Sequence, residues 1–350
     1  MKKRLNENCI DILRLLAALQ VALTHYLNLT LLHFRQEGWE DTFLLGIKRV
    51  LTLFPGVVIL FSISGFLMGA SMERTPKRTE FLKKRVRRIY PALWAAMLFM
   101  LLPPLFLAVR TGQDWPGYIK WFLIQMTGVA YTPDFLKGFG AGSINGALWT
   151  VMVEVQFYIL LAIFWNHIKR SPDWCWHFIV PAAFCINLAM DFAAAAAPGA
   201  MWIKLLDRTV LPYLCWFAAG MYCYRFREKM LPALRKALPA AGIFYVIYKG
   251  CYQMSGWQIP GYYADCVTSL VLPFLTVGVA YAFGTHRLKR DISYGIFLYH
   301  WPLINVVFAL RLPERIDHIV LFAGYTLSFI ALALASWELL EAKLIRKEAV

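Results

Sequence analysis

The sequence predicts an all-α polytopic membrane protein of about ten transmembrane helices, and three observations carry that prediction. Of 350 residues, 59% are hydrophobic and only 16% charged, whereas a soluble domain of this length carries more charge. Apolar runs near twenty residues recur along the chain, the length a helix needs to cross about 30 Å of hydrocarbon. The formal net charge of +15 is gathered in short clusters between those runs, which the bias of Lys and Arg toward cytoplasmic loops explains without a nucleic-acid partner.

Taken in order, spans are predicted near residues 11 to 32, 50 to 72, 89 to 109, 146 to 166, 174 to 196, 205 to 223, 238 to 254, 264 to 284, 292 to 310 and 318 to 340. Residues 117 to 132, flanked by Pro116 and Pro133, make a shorter semi-apolar piece that suits a re-entrant or interfacial helix. With ten spans and both termini cytoplasmic, 25 of the 36 Lys and Arg residues lie on the cytoplasmic side and 11 on the other. If residues 117 to 132 also crossed, Lys169-Arg170, Arg225 to Lys236 and Arg287 to Arg290 would all turn outward, against that bias. No internal repeat and no soluble segment large enough for a second domain is visible, so residues 1–350 read as one integral-membrane domain. The seven cysteines contain no CxxC pair and read as reduced, small apolar residues, with no zinc or disulfide framework. The initial MKKR resembles a signal sequence in charge alone; the run behind it contains Arg14 and no cleavage site, so it is expected to stay as the first span.

Within this apolar frame, ionisable residues stand out. A charge in hydrocarbon costs roughly 2.5 to 3.5 kcal/mol on the insertion scale, which makes each such residue a functional hypothesis. The first span carries Asp11, Arg14 and His25. Arg14 and His25 are eleven positions apart, about three helical turns and about 16 Å of rise, so they share one face. The second span ends in Ser62-Ile63-Ser64-Gly65-Phe66-Leu67; with Gly56 and Gly69 this gives a small-residue face that reads first as helix packing. Phe81 to Pro91, FLKKRVRRIYP, enters the third span. Its basic residues serve as a topology signal, and Arg85 and Arg88, neighbours on one face, could also form a bidentate fork for phosphate.

Trp149 to Tyr158, WTVMVEVQFY, sets Glu154 and Gln156 inside an apolar span. A structural ion pair or interhelical hydrogen bond competes there with a catalytic role. Further on, Tyr294 precedes Tyr299-His300-Trp301-Pro302. Pro302 frees a backbone carbonyl for a neighbouring polar group, and His300 also reads as a packed, hydrogen-bonded histidine. Glu338 and Glu341, beside the basic C-terminal end, read as a salt-bridged helix terminus.

Together, and in this order, these motifs make the chain resemble the acyltransferase 3 family, multi-span membrane acyltransferases that modify cell-surface sugars. The resemblance rests on IDILRLLAAL with Arg14-x10-His25, FSISGFL at 61 to 67, FLKKRVRRIYPALW at 81 to 94, WTVMVEVQFY at 149 to 158, ISYGIFLYHWPL at 292 to 303 and SWELLEAKLIRK at 336 to 347. It runs from the first span to the last. Two positions depart from the family's usual pattern: Val155 stands where a second acid often follows Glu154, and Ile12 where Gly usually follows the aspartate. Some relatives carry a C-terminal esterase-like domain, and the chain is expected to be a stand-alone form without one.

The resemblance implies transfer of an acyl group, most often acetyl, from cytoplasmic acyl-CoA to a hydroxyl of a surface carbohydrate or glycolipid. Acetyl-CoA or another acyl-CoA is then the donor substrate, with no metal. Arg14, Arg85 and Arg88 are expected to hold the polyanionic CoA. His25 is expected to be the general base and Glu154 the group that orients or charges it. Asp11, Ser64, Trp149, Gln156, Tyr294 and His300 are further candidates. The partners are acyl-CoA, the carbohydrate acceptor and the lipid bilayer, with no nucleic acid; a homo-oligomer is compatible with the sequence. The alternative is a transporter or flippase of a sugar or glycolipid precursor, which would also need intramembrane charges but which many such proteins announce by an internal repeat. The expected location is the cytoplasmic (inner) membrane.

Overall fold

In an apolar solvent a segment must satisfy its backbone polar groups by itself, and a helix does so. The computed structural model agrees: the described residues (7–36, 38, 41–107 and 115–342) form α-helices, short 3-10 turns and one π turn, with no strand among them. The MKKR cluster, the end of the predicted third span and the tail of the SWELLEAKLIRK motif beyond residue 342 lie outside the described residues.

In chain order, α1 is Ile10–Gln36, α2 Thr42–Leu51, α3 Gly56–Arg74, α4 Arg78–Leu107, α5 Trp115–Met126, α6 Leu148–Ile163 and α7 Trp165–Arg170. Then come α8 Asp173–Ala196, α9 Met201–Asp207, α10 Leu214–Arg225, α11 Arg227–Ser255, α12 Cys266–Ala282, α13 Ser293–Ala309 and α14 His318–Ser336. Five stretches are long and apolar enough to cross a membrane: Ile10–Gln36, Thr42–Arg74, Asp173–Ala196, Arg227–Ser255 and His318–Glu341. The other predicted spans coincide with helices of less than crossing length or with more charge. Thus α6 has 16 residues and α12 has 17, against about 20 for a full crossing. The predicted span at 205 to 223 is divided instead. Its chain breaks into α9, a 3-10 turn at Leu211–Tyr213 that carries Pro212, and α10, and the Gln156 amide bonds the Arg208 carbonyl and Val210 N–H that the break leaves. α5, which overlaps the stretch at 117 to 132 expected not to cross, has 12 residues.

Helix starts follow local chemistry. Asp317 accepts from the Ile319 and Val320 N–H groups at the head of α14, and Asp265 accepts from Thr268 N–H at the head of α12. Each removes orphan donors of a first turn. Asp11 stands in the first turn of α1 and Arg35 in its last, both signs favourable to the helix dipole.

The chain divides into two compact units. The first comprises Met1–Ala17, Arg49–Leu82 and Val153–Lys289. Its tightest pairing is α3 on α10. A methyl group built on Gly65 would lie 2.0 Å from the Phe217 carbonyl oxygen, and one on Gly220 2.0 Å from the Ser62 carbonyl oxygen. The small face of FSISGFL thus brings two backbones together, as in small-residue packing of membrane helices. Ile63, Phe66, Tyr224, Val277 and Tyr281 fill the adjoining core. At another place in this unit the buried Lys249 ammonium meets Asp265 at 3.0 Å, and that carboxylate also accepts from the Tyr248 and Thr268 hydroxyls at 2.7 Å each.

The second unit comprises Ala18–Lys48, Lys83–Met152 and Arg290–Val350. Here α13 packs on α14 and on the second half of α1. The buried Tyr325 hydroxyl of α14 lies 3.3 Å from the carbonyls of both Ala22 and His300, and its ring stacks on Tyr26 with centroids 4.5 Å apart. Pro302 leaves the Leu298 carbonyl without its helical donor, and Asn145 supplies one instead at 3.1 Å. Asn305 then pins the loop before α6. It donates to the Ser143 and Ile144 carbonyls and accepts from Ala141 N–H, at 2.8 to 2.9 Å.

Candidate functional site

His25 sits in the middle of α1 and His300 in the middle of α13, on the faces that the Tyr325 hydroxyl draws together. Their rings meet: His25 Nδ1 is 3.0 Å from His300 Nε2. The ring planes are only 15° apart and the centroids are separated by 5.3 Å. That separation exceeds the nitrogen–nitrogen distance by just the radii of two imidazoles, so the contact is an in-plane hydrogen bond and not a face-to-face stack. His300 is fully buried, and its other nitrogen, Nδ1, lies 3.1 Å from the Ile296 carbonyl. His25 is half-buried. Trp301 presents its ring to His25 at 4.9 Å and near a right angle. Trp301 is in turn fixed by its indole N–H, 2.9 Å from the Ser143 carbonyl, and by Gly146, where an added methyl group would lie 2.5 Å from its ring.

A second cluster, of three side chains, lies within the other unit. The Glu154 carboxylate on α6 accepts a hydrogen bond from Ser64 Oγ on α3 at 3.0 Å and a second, short one from the Tyr158 hydroxyl one turn further along α6. A half-buried carboxylate is therefore held by two hydroxyl donors, which compensates part of its lost hydration. Ser64 contributes more than a small side chain at a helix crossing. Tyr158 was not singled out from sequence, although its i+4 spacing from Glu154 was the available signal.

Arg14 forms an ion pair with Asp11 at 2.6 Å, one turn away on α1. Arg85, half-buried, and Arg88, exposed, share α4 as expected. Gln156 spends both ends of its amide on backbone, donating to the Arg208 carbonyl at 2.8 Å and accepting from Val210 N–H at 2.9 Å; it straps the turn between α9 and α10. Tyr294 donates to the Ile89 carbonyl at 3.1 Å and ties the head of α13 to α4. Trp149 is half-buried at the start of α6. Glu338 pairs with Arg290 at 2.8 Å, and Glu341 accepts from Ser336 at 2.9 Å. The Glu338 pair agrees with the reading of a salt-bridged helix terminus, whereas Glu341 is held by a serine hydroxyl. The freed carbonyl at Pro302 is bonded by Asn145 and not by His300, and Asn145 was missed because a lone loop asparagine carries no pattern.

In chemical terms, one half-buried imidazole is bonded through one nitrogen and has the other to offer, beside an aromatic wall. That arrangement suits proton transfer to or from an oxygen nucleophile. Comparison with known proteins points the same way. The sequence profile described as acyltransferase domain matches residues 7–338. "Nodulation protein 10" of Rhizobium leguminosarum bv. viciae is 28% identical over 96% of this chain and 92% of its own length. An "O-acetyl transferase" of Shigella phage Sf6 is 26% identical over 98% of this chain and 97% of its own. "Acyltransferase MdmB" of Streptomyces mycarofaciens is 24% identical over 76% of this chain and 64% of its own. No solved structure gives a significant match. With the profile spanning nearly the whole chain and relatives named for acyl transfer, the protein belongs to the acyltransferase 3 family and is an O-acyltransferase.

Proposed function

We propose that the protein transfers an acetyl group from cytoplasmic acetyl-CoA to a hydroxyl of a cell-surface or lipid-linked carbohydrate, across the cytoplasmic membrane. Acetyl as the transferred group draws support from the relative named O-acetyl transferase, and the carbohydrate acceptor from the family resemblance of the motifs. In this reading the chain crosses ten times with both termini cytoplasmic, the arrangement that keeps most Lys and Arg on the inner side. Arg85 and Arg88 then hold phosphates of CoA at the cytoplasmic rim, since guanidinium groups stay charged and bond phosphate bidentately, and Arg14 is kept as a further candidate for CoA on its place in the first motif.

The observation that carries the reading is the half-buried His25 imidazole, bonded through Nδ1 to a fully buried His300. A sugar hydroxyl is a poor nucleophile until a base takes its proton, a contribution of about 10² to 10⁴-fold. His25 takes that proton as the oxygen attacks the thioester carbonyl. The tetrahedral intermediate collapses with cleavage of the C–S bond, and the CoA thiolate recovers the proton from the imidazolium, leaving an ester and free CoA. Glu154 is retained as the second catalytic group on its place in the Trp149 to Tyr158 motif, with Ser64 and Tyr158 holding its carboxylate.

The test is the thermal stability of the purified full chain titrated with acetyl-CoA, beside an acetyl-transfer assay. A ligand that binds only folded protein stabilises by mass action, about 2.7 kcal/mol at a hundredfold excess over Kd. Saturable stabilisation is expected, weakened in Arg85→Ala and kept in His25→Ala, while His25→Ala loses transfer. No response of folded protein to any acyl-CoA would overturn the donor assignment. Full transfer by His25→Ala would overturn the base.

A further inference from the structure

The two histidines are not interchangeable ends of one hydrogen bond. His300 Nδ1 faces the Ile296 carbonyl at 3.1 Å, and a carbonyl oxygen only accepts. A neutral His300 therefore carries its proton on Nδ1 and presents the Nε2 lone pair on the other side. That lone pair faces His25 Nδ1 at 3.0 Å, so the proton between the rings belongs to His25 Nδ1. The only nitrogen of neutral His25 left with a free lone pair is Nε2. The opposite assignment would set the unprotonated Nδ1 of His300 against the carbonyl and an Nε2–H against His25, losing a hydrogen bond at a fully buried side chain.

Resting on the reading of His25 as general base, we propose that His300 is its positioning residue: the chain Ile296 carbonyl, His300, His25 fixes His25 in the Nδ1–H tautomer and makes Nε2 the nitrogen that takes the acceptor proton. The logic is that of any base whose second nitrogen is held by an orienting acceptor, here with a neutral imidazole in the acceptor's place. When the acceptor O–H bond breaks, its proton goes to Nε2, the electron pair stays on the oxygen that bonds to the acyl carbon, and the Nδ1–H bond to His300 persists in the imidazolium. The Tyr325 hydroxyl, shared between the Ala22 and His300 carbonyls, and Trp301 against His25 keep the two rings in register. Loss of such a partner lowers turnover without touching substrate contacts.

The experiment is ¹⁵N NMR of the full chain labelled at histidine, with His25 assigned by its disappearance in His25→Ala, together with steady-state kinetics of His300→Phe and His300→Gln. Expected are an Nδ1-protonated, Nε2-unprotonated His25 in the unaltered protein and loss of that preference in His300→Phe. His300→Phe is also expected to lose about 10² to 10⁴-fold in kcat with KM for acetyl-CoA unchanged. His300→Gln, whose amide oxygen can accept from His25 Nδ1–H, is expected to recover part of the loss. An Nε2-protonated His25, or an Nδ1-protonated His25 that persists in His300→Phe, overturns the proposal while leaving His25 free to be the base. Should His300→Phe not fold, the unaltered spectrum and His300→Gln decide. Full transfer by His25→Ala would remove the base itself, a result the tautomer signal does not depend on.

Discussion

Replacing Gly65 by alanine should force α3 and α10 apart. A methyl group there meets the Phe217 carbonyl oxygen at 2.0 Å, whereas real Cβ contacts essentially never fall below 3.0 Å. The axes must therefore separate locally by about 1 Å, because the obstacle is backbone and cannot rotate away. A gap of 0.5 to 1 Å forfeits roughly a quarter to a half of each dispersion contact across the seam, and overpacking of this kind typically costs about 1 to 3 kcal/mol. Alanine returns about 0.5 to 1 kcal/mol through helix propensity, so a net loss of up to about 2.5 kcal/mol is expected. Two other glycines serve as internal standards. At Gly69 the methyl group meets the Tyr224 ring at 2.8 Å, a side chain that can shift, and at Gly324 it meets nothing within 4 Å. Apparent thermal midpoints of the three variants in one detergent should rank Gly324→Ala highest, Gly69→Ala next and Gly65→Ala lowest. Gly65→Ala and Gly220→Ala combined should cost less than their sum, since the first substitution already opens the seam. A Gly65→Ala midpoint equal to that of Gly324→Ala would refute the close approach.

Other outcomes follow from the same contacts. Glu154→Gln keeps an acceptor for Ser64 and Tyr158 but removes the charge, so folding and acetyl-CoA binding should persist while transfer falls by about 10²-fold or more; unchanged turnover would remove Glu154 from the catalytic set. Lys249→Met strands the buried Asp265 charge and should cost about 3 to 5 kcal/mol. Adding Asp265→Asn should restore part of it in thermal unfolding, and a double variant no better than the single would contradict the pairing. Asn145→Leu leaves the Leu298 carbonyl unpaired, worth about 1 to 3 kcal/mol. Pro302→Ala returns the helical donor, so the double-mutant cycle should show recovery, and strict additivity would count against Asn145 acting through that carbonyl.

The polar residues of the candidate site were legible because an apolar sequence makes them conspicuous. In apolar sequence a polar side chain is costly, so His25, Glu154 and His300 could be picked out one by one. Their partnerships could not, since they join residues 275 and 90 positions apart. The small face of α3 was read correctly as packing, while Ser64 within it turned out to hold Glu154. Gln156 stood out for the same reason Glu154 did, a polar group in a span, and its amide bonds the backbone at Arg208 and Val210.

From the sequence alone came the all-helical class and the identity of the costly residues, because these depend on local hydrophobicity, helix periodicity and the expense of burying charge. Tertiary structure alone decided which nitrogen meets which. The meeting of His25 with His300 depends on helices that Tyr325 and Asn145 draw together, and the Ser64 hydroxyl reaches Glu154 only where α3 meets α6. A hydrogen bond has meaning only within a few tenths of an ångström, a precision that spacing along a chain does not encode.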